Sequence, residues 1–198
     1  MALTTVRSTG ISSLPAISGA NLTTLNASNI SSGTLSTSRY VQGGITHAEI
    51  FRLTSSVTGE ADPITDWGSV DGQQNQGRVG SGMSHSSGVF TFPATGIWRV
   101  EFSAYYYRGQ ADDQCRILIK NNSGTEIAKS IQSISTTNYY AHNYTSCMLD
   151  VTDVSNNNNK VTFEFEDVGA SGGASSAKLQ GTSSFTASQV VFTRLGDT

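Results

Sequence analysis

Residues 88–107 read GVFTFPATGIWRVEFSAYYY, and this stretch decides the fold. From Trp98 onward every second residue is large or apolar: Trp98, Val100, Phe102, Ala104 and Tyr106, with Arg99, Glu101, Ser103 and Tyr105 between them. A period of two is that of a strand, whose successive side chains point to opposite faces. The segment therefore reads as a strand lying on a core. Upstream, Phe90 and Phe92 bring further aromatic area, and Pro93 and Gly96 bracket a turn, proline restricting φ and glycine allowing it to be positive. Burying a Phe or Trp contributes about 1.5 to 3 kcal/mol each. Phe90, Phe92, Gly96, Trp98, Val100 and Phe102 are accordingly read as structural core.

Working outward, the same period recurs. QCRILIK (114–120) aligns Cys115, Ile117 and Ile119, and NNSG (121–124) then supplies residues tolerant of positive φ, which predicts a hairpin into TEIAKSIQSI (125–134). YTSCMLDV (144–151) sets Cys147, Leu149 and Val151 on one side. KVTFEFEDV (160–168) alternates Val161, Phe163 and Phe165 with Thr162, Glu164 and Glu166, after an Asn run at 156–159 read as a loop. SQVVFTRL (188–195) closes the chain, and no helix pattern intervenes. Short strands separated by Gly- and Asn-rich turns predict an antiparallel sandwich or barrel over residues 46–198.

Residues 1–45 are of a different kind. In ANLTTLNASNISSGTLSTSRY (20–40) a larger side chain stands at every fifth place, among them Leu25, Ile30, Leu35 and Tyr40. A step of five fits neither an amphipathic helix nor an alternating strand, and suggests an extended segment repeating one short unit. Its intervening Ser, Thr, Asn and Gly bury almost nothing. One copy cannot offset an ordering cost of about 1 to 2 kcal/mol per residue, so such a segment orders only against other chains.

Composition narrows the partners. Only 14% of the 198 residues are charged and the net charge is -3, which leaves no basic footprint for nucleic acid and no anchor for an anionic membrane. No segment approaches the roughly 20 apolar residues needed to cross a bilayer, and no secretion signal is visible. Membrane insertion is not expected. Two cysteines, Cys115 and Cys147, are too few for a disulfide framework and read as core residues.

As a spacing pattern, Gly88-x-Phe90-Thr91, four residues, Gly96-x-Trp98-x-Val100 resembles the signature of complement C1q globular heads, which are tumour-necrosis-factor-like jelly rolls. RGQADDQCRILIKNNSG (108–124) resembles that family's next loop and strand. Trp98 stands where the family usually has Tyr, and SSFTASQVVF (183–192) lacks the usual Phe-Ser-Gly-Phe, which leaves the register of the last strand open. The resemblance implies an all-β jelly-roll sandwich of about eight to ten antiparallel strands, and heads that associate as homotrimers. LNASNISSGTLSTSRY (25–40) in turn is similar to a recurring segment of bacteriophage tail-fibre and other virion-fibre proteins, in which a Ser-Gly-Thr-Leu unit leads to Arg.

Reactive groups are sparse. His47, His85 and His142 are the only histidines, none in a nucleophile setting, and His85 in GMSHSSG (82–88) reads as a loop residue. Asp112 with Asp113, and Glu164 with Glu166 and Asp167, are the densest acidic sites. Glu164 and Glu166 share one strand face, an arrangement that suits a solvated face or a calcium ion rather than opposed catalytic carboxylates. No cofactor and no enzymatic activity are expected. Binding is the better candidate. Tyr105 and Tyr107, and Tyr139, Tyr140, His142 and Tyr144 in NYYAHNY (138–144), are residues for receptor or trimer contact, since Tyr and Asn offer flat area with adaptable hydrogen bonds. The expected protein is a non-enzymatic virion structural component made in the host cytoplasm. Its trimeric fibre attaches to other virion proteins through residues 1–45, and its head displays a surface for a host receptor or glycan. The competing readings are a capsid or tail cementing module without receptor binding, and a soluble complement-like ligand or lectin.

Overall fold

The computed structural model describes residues 44–108, 113–134, 139–168 and 177–198. Leu25, Ile30, Leu35 and Tyr40, expected to pack a stalk, lie outside the described residues. Twelve strands follow one another: β1 (Ala48–Leu53), β2 (Val57–Thr58), β3 (Trp67–Ser69), β4 (Ser84–Ser86), β5 (Val89–Thr91), β6 (Gly96–Arg108), β7 (Asp113–Asn121), β8 (Glu126–Ile134), β9 (Tyr139–Val151), β10 (Val161–Val168), β11 (Lys178–Leu179) and β12 (Gln189–Gly196). Five of them, β2 to β5 and β11, have only two or three residues. The Asn run read as a loop forms a single 3-10 turn, Asn157–Asn159, capped by Asn156, whose side chain accepts the Asn158 N–H. Among the described residues, no helix is long and apolar enough to cross a membrane.

The strands form two antiparallel sheets. The larger has the order β2-β11-β6-β12-β1-β3, with β9 on the other side of β6; the smaller runs β4-β5-β10-β7-β8. The chain passes from one sheet to the other between β3 and β4, β5 and β6, β6 and β7, β8 and β9, β9 and β10, and β10 and β11. That repeated crossing is a jelly roll. β6 is the axis of the larger sheet, paired along its length with β9, from Gly96 opposite Val151 to Arg108 opposite Tyr139. On its other side Val100 meets Phe192 and Phe102 meets Val190, which sets the register of the last strand.

The alternation in β6 turns Trp98, Val100, Phe102, Ala104 and Tyr106 inward, each at 1% exposure or less. Phe90, Phe92, Phe163 and Phe165 are equally buried, and Gly96 is buried in the chain's entry to β6. The two sheets meet through edge-to-face rings: Phe102 against Phe163 at 5.3 Å, Phe51 against Phe90 at 5.0 Å and Trp67 against Phe163 at 5.8 Å. Such pairs contribute about 0.5 to 1.5 kcal/mol each beyond the area they bury. The Trp98 indole N–H donates to the Ala94 carbonyl at 3.1 Å, tying the core to the Pro93–Gly96 turn. Gly96 has φ +136°, and a Cβ there would stand 2.4 Å from the Gly196 carbonyl oxygen. No other residue fits so close a backbone approach.

An ion pair is buried at one end of the interior. Asp167 follows Phe165 on the inner face of β10 and pairs with Arg108 at the end of β6, both side chains being 1% exposed. Asp167 also accepts the Ala177 N–H at 2.8 Å, while Arg108 lies 3.5 Å from the Cys115 sulfur. Burial pushes the Cys115 thiol up to about 11, so it is an inert packing group. His85 departs from the loop expected for it. It sits in β4, half-buried, its ring 4.5 Å from that of Phe90 and its Nε2 accepting the Gly88 N–H at 3.2 Å.

Candidate functional site: the outer face of the larger sheet

Because β6 buries its even-numbered side chains, its odd ones face outward, and the register with β9 selects what stands beside them. Ser103 is opposite Tyr144, Tyr105 opposite His142, Tyr107 opposite Tyr140, Glu101 opposite Ser146 and Arg99 opposite Met148. Directly opposed residues share a face and lie within side-chain contact. The two tyrosine-rich stretches, more than 30 residues apart in sequence, thus become one surface. Tyr105 and Tyr140 stack with ring centroids 5.3 Å apart and planes 9° from parallel, and Tyr107 adds a tilted contact to Tyr140 at 5.1 Å. Tyr139 is separated from them. It pairs in register with Arg108, so it belongs to the opposite face, at the strand end, and is 60% exposed.

Further along the same face, hydroxyls and charges interlock. The Tyr144 hydroxyl donates to Glu101 at 2.5 Å and accepts from Arg99 at 3.2 Å, while Arg99 and Glu101 pair at 2.9 Å. The Tyr144 bond, and after it the Glu101 charge, hold the guanidinium more firmly protonated. Ser103 Oγ lies 2.6 Å from His142 Nε2. That is a nucleophile-to-base distance. However, His142 Nδ1 has no orienting partner among the described residues, and the nearby Tyr105 and Tyr144 N–H groups donate to the Ser188 hydroxyl and the Asn143 side-chain oxygen. The pair is a hydrogen bond between sheet neighbours.

Phe185 and Met148 escaped the sequence reading. A groove of about 240 Å³ runs beside the stacked rings, lined by Tyr105, Tyr140, Gln180, Thr182 and Phe185. Phe185 precedes the last strand in the loop and is 60% exposed. Its signal was a lone aromatic among Ser, Thr and Ala, with no alternation to bury it. With Met148 at 71% and Tyr140 at 51% exposure, the face carries an apolar and aromatic surface uncommon in a chain so rich in small polar residues.

The acidic sites are internally compensated. Glu164 pairs with Lys120 at 2.9 Å, Glu166 with Arg116 at 3.3 Å, and Asp167 with Arg108 in the core. Asp112 and the Asp113 side chain lie outside the described residues. Among the described residues, no group of three His, Cys, Asp or Glu side chains is placed to hold a metal ion.

No family model and no curated protein sequence matches the chain. Solved structures of similar fold include Eiger TNF from S. frugiperda, with a TM-score of 0.52 at 12% identity over 76% of this chain and 93% of that one. Murine APRIL at pH 5.0 gives 0.53 at 12% identity over 75% and 98%. PRD1 vertex protein P5 gives 0.49 at 13% identity over 78% and 100%. At such identities the likeness is one of fold alone, and it establishes that the described residues form a tumour-necrosis-factor-like jelly roll.

Proposed function

We propose that the chain is a non-enzymatic structural protein of a virion, a homotrimer whose jelly-roll heads associate through the outer face of the larger sheet and are displayed for attachment to a host surface. The observation that carries the assembly is the joined face of β6 and β9. Stacked tyrosines, Met148 and Phe185 offer apolar area, and the adjacent Arg99 and Glu101 present both signs of charge, so a second copy is complementary to the first. Exposed aromatic patches of this kind mark contact surfaces more often than chance exposure does. Support for the particle comes from the sequence, since residues 25–40 resemble virion-fibre segments and would order only among several chains. In this reading residues 1–45 attach to other virion proteins, with Leu25, Ile30, Leu35 and Tyr40 packed between the copies.

Sedimentation equilibrium of the full chain at micromolar concentration should give three protomers. Met148→Arg with Tyr140→Ala should give a folded monomer. A wild-type chain that stays monomeric overturns the assembly. Labelling of intact particles with antibodies to the head tests its display: an outward head supports attachment, and a head buried among other proteins assigns the cementing role instead.

A further inference from the structure

A second concave site lies on the smaller sheet. Val161, at the start of β10, pairs with Asn121 at the end of β7, whereas Asp167 lies at the opposite end of β10 beside Arg108, about 20 Å away along the strand. At the Asn121 end is an open cleft of about 390 Å³, within the usual size range of small-molecule sites. Its floor is partly apolar, from Pro63 and Val89. The turn before Val89 is shaped to approach this floor: Ser87 and Gly88 have φ of 48° and 83°, and a Cβ on Gly88 would stand 2.7 Å from Pro63 Cγ.

The polar lining is arranged unlike a metal or anion site. The Lys120 ammonium lies between Asp62 at 2.7 Å and Glu164 at 2.9 Å, filling the place a bound cation would take. Two carboxylates against one ammonium also leave the site negative, which disfavours phosphate, sulfate or acidic sugars. What remains is neutral hydrogen-bonding capacity. The Asn121 side-chain oxygen accepts the Ser123 and Thr125 N–H groups at 3.1 and 2.8 Å, which leaves its two amide protons for the cleft. The Asn122 backbone N–H donates to Lys160, but the second oxygen of Asp62, the side-chain amide of Asn122 and the hydroxyls of Ser87 and Thr162 have no partner among the described residues. Acceptors, donors and groups that are both thus converge over a small apolar floor.

From this set we infer a binding site for a neutral hexopyranose. Vicinal hydroxyls each donate and accept, so a carboxylate oxygen and an amide side by side can satisfy two of them at once, and the C–H face of the ring is apolar enough to lie on Pro63 and Val89. The inference supplies a ligand class for the attachment reading and rests on it only for the source of the sugar. The cleft does not use the outer face of the larger sheet, so loss of sugar binding would leave the trimer standing, and a monomeric chain would leave the cleft in place.

The test is a titration of the full chain with methyl glycosides of glucose, galactose, mannose and N-acetylglucosamine, with methyl glucuronide as the acidic control. The Asn121 and Asn122 side-chain amide resonances report on the site. At least one neutral glycoside should shift them saturably, with a dissociation constant in the millimolar range. Asn122→Ala, which removes no internal hydrogen bond, should weaken that binding at least tenfold with unchanged thermal stability, and Asp62→Ala, which also removes one of the two partners of Lys120, should weaken it at least tenfold as well. Retention of the chain on the same sugar when immobilised separates a surface glycan from a free sugar as the source, and either result upholds the site. Absence of a saturable shift with every neutral glycoside would overturn it. So would tighter binding of the glucuronide, or wild-type affinity in both variants.

Discussion

The inner and outer faces of β6 draw on the same aromatic side chains and use them differently. Inward, Phe102 and Tyr106 meet the opposite sheet, Phe102 edge to face with Phe163 and Tyr106 tilted against Phe165, while Trp98 packs on Phe92. Outward, Tyr105 and Tyr107 lie flat or tilted against Tyr140 of the neighbouring strand in the same sheet, and Tyr144 ties its hydroxyl to Glu101 and Arg99. The inner rings are buried by the fold itself. The outer ones are left half in water, where stacking and hydroxyl bonds order them without completing a core. A strand with aromatic residues on both faces therefore packs one set within the domain and leaves the other at its surface.

That contrast can be broken, and the sharpest attempt is at the inner face. Phe102→Ala should lower the free energy of unfolding by about 3 to 5 kcal/mol, since it removes a ring and leaves a cavity between rigid sheets; urea unfolding checks it. A value near 1 kcal/mol would mean the core collapses around the gap and is not the specific contact described.

Almost as large should be the effect at the buried pair. Asp167→Ala leaves the Arg108 charge inside with its main counter-charge gone and the Ala177 N–H without its acceptor, at a cost of about 3 to 5 kcal/mol. The double change Arg108→Met with Asp167→Leu should recover most of it, because a buried pair is expensive to break and cheap to replace. Failure of the double variant to recover stability would show that the pair holds backbone geometry that apolar side chains cannot.

A smaller effect appears with pH. Burial lowers the His85 pKa below 6.5, in keeping with a ring nitrogen that accepts the Gly88 N–H and so must be unprotonated. His47 is lowered too, by burial and then by Arg194. Since the unfolded chain takes up these protons first, the stability they contribute is complete above pH 6.5 and is lost as the pH falls through 6.5 toward the lower folded values. Thermal midpoints measured from pH 7.5 to 5.5 should fall, and His85→Gln should flatten the decline. An unchanged slope would place the titration elsewhere.

The smallest change is expected on the outer face. Tyr140→Ala, measured on the dissociated chain, should alter stability by no more than about 0.5 kcal/mol. A loss comparable with Phe102→Ala would erase the distinction between the faces and make Tyr140 part of the core.

Much of this was legible along the chain because it is local. The alternation of Trp98 to Tyr106, the inward set of Val161, Phe163 and Phe165, and the NNSG hairpin follow from strand geometry and turn preferences, which act over a few residues. The candidate surface was legible only as two separate stretches. Nothing within either one says that Tyr105 faces His142 or that Tyr107 faces Tyr140, nor that Tyr139 turns away while Tyr140 joins the stack. Phe185 joined the surface through a loop with no period at all, and Asp167 was counted with Glu164 and Glu166 until its parity in β10 sent it inward to Arg108.

By itself, then, the sequence determined that the protein is an antiparallel β sandwich or barrel and which side chains of each strand share a face. A period of two is imposed on each strand by its own backbone. Only the tertiary structure decided which faces meet. Pairing between β6 and β9, or contact between Arg108 and Asp167, joins segments separated by dozens of residues, and that choice is made by burial of the common aromatic core, to which no single stretch holds the information.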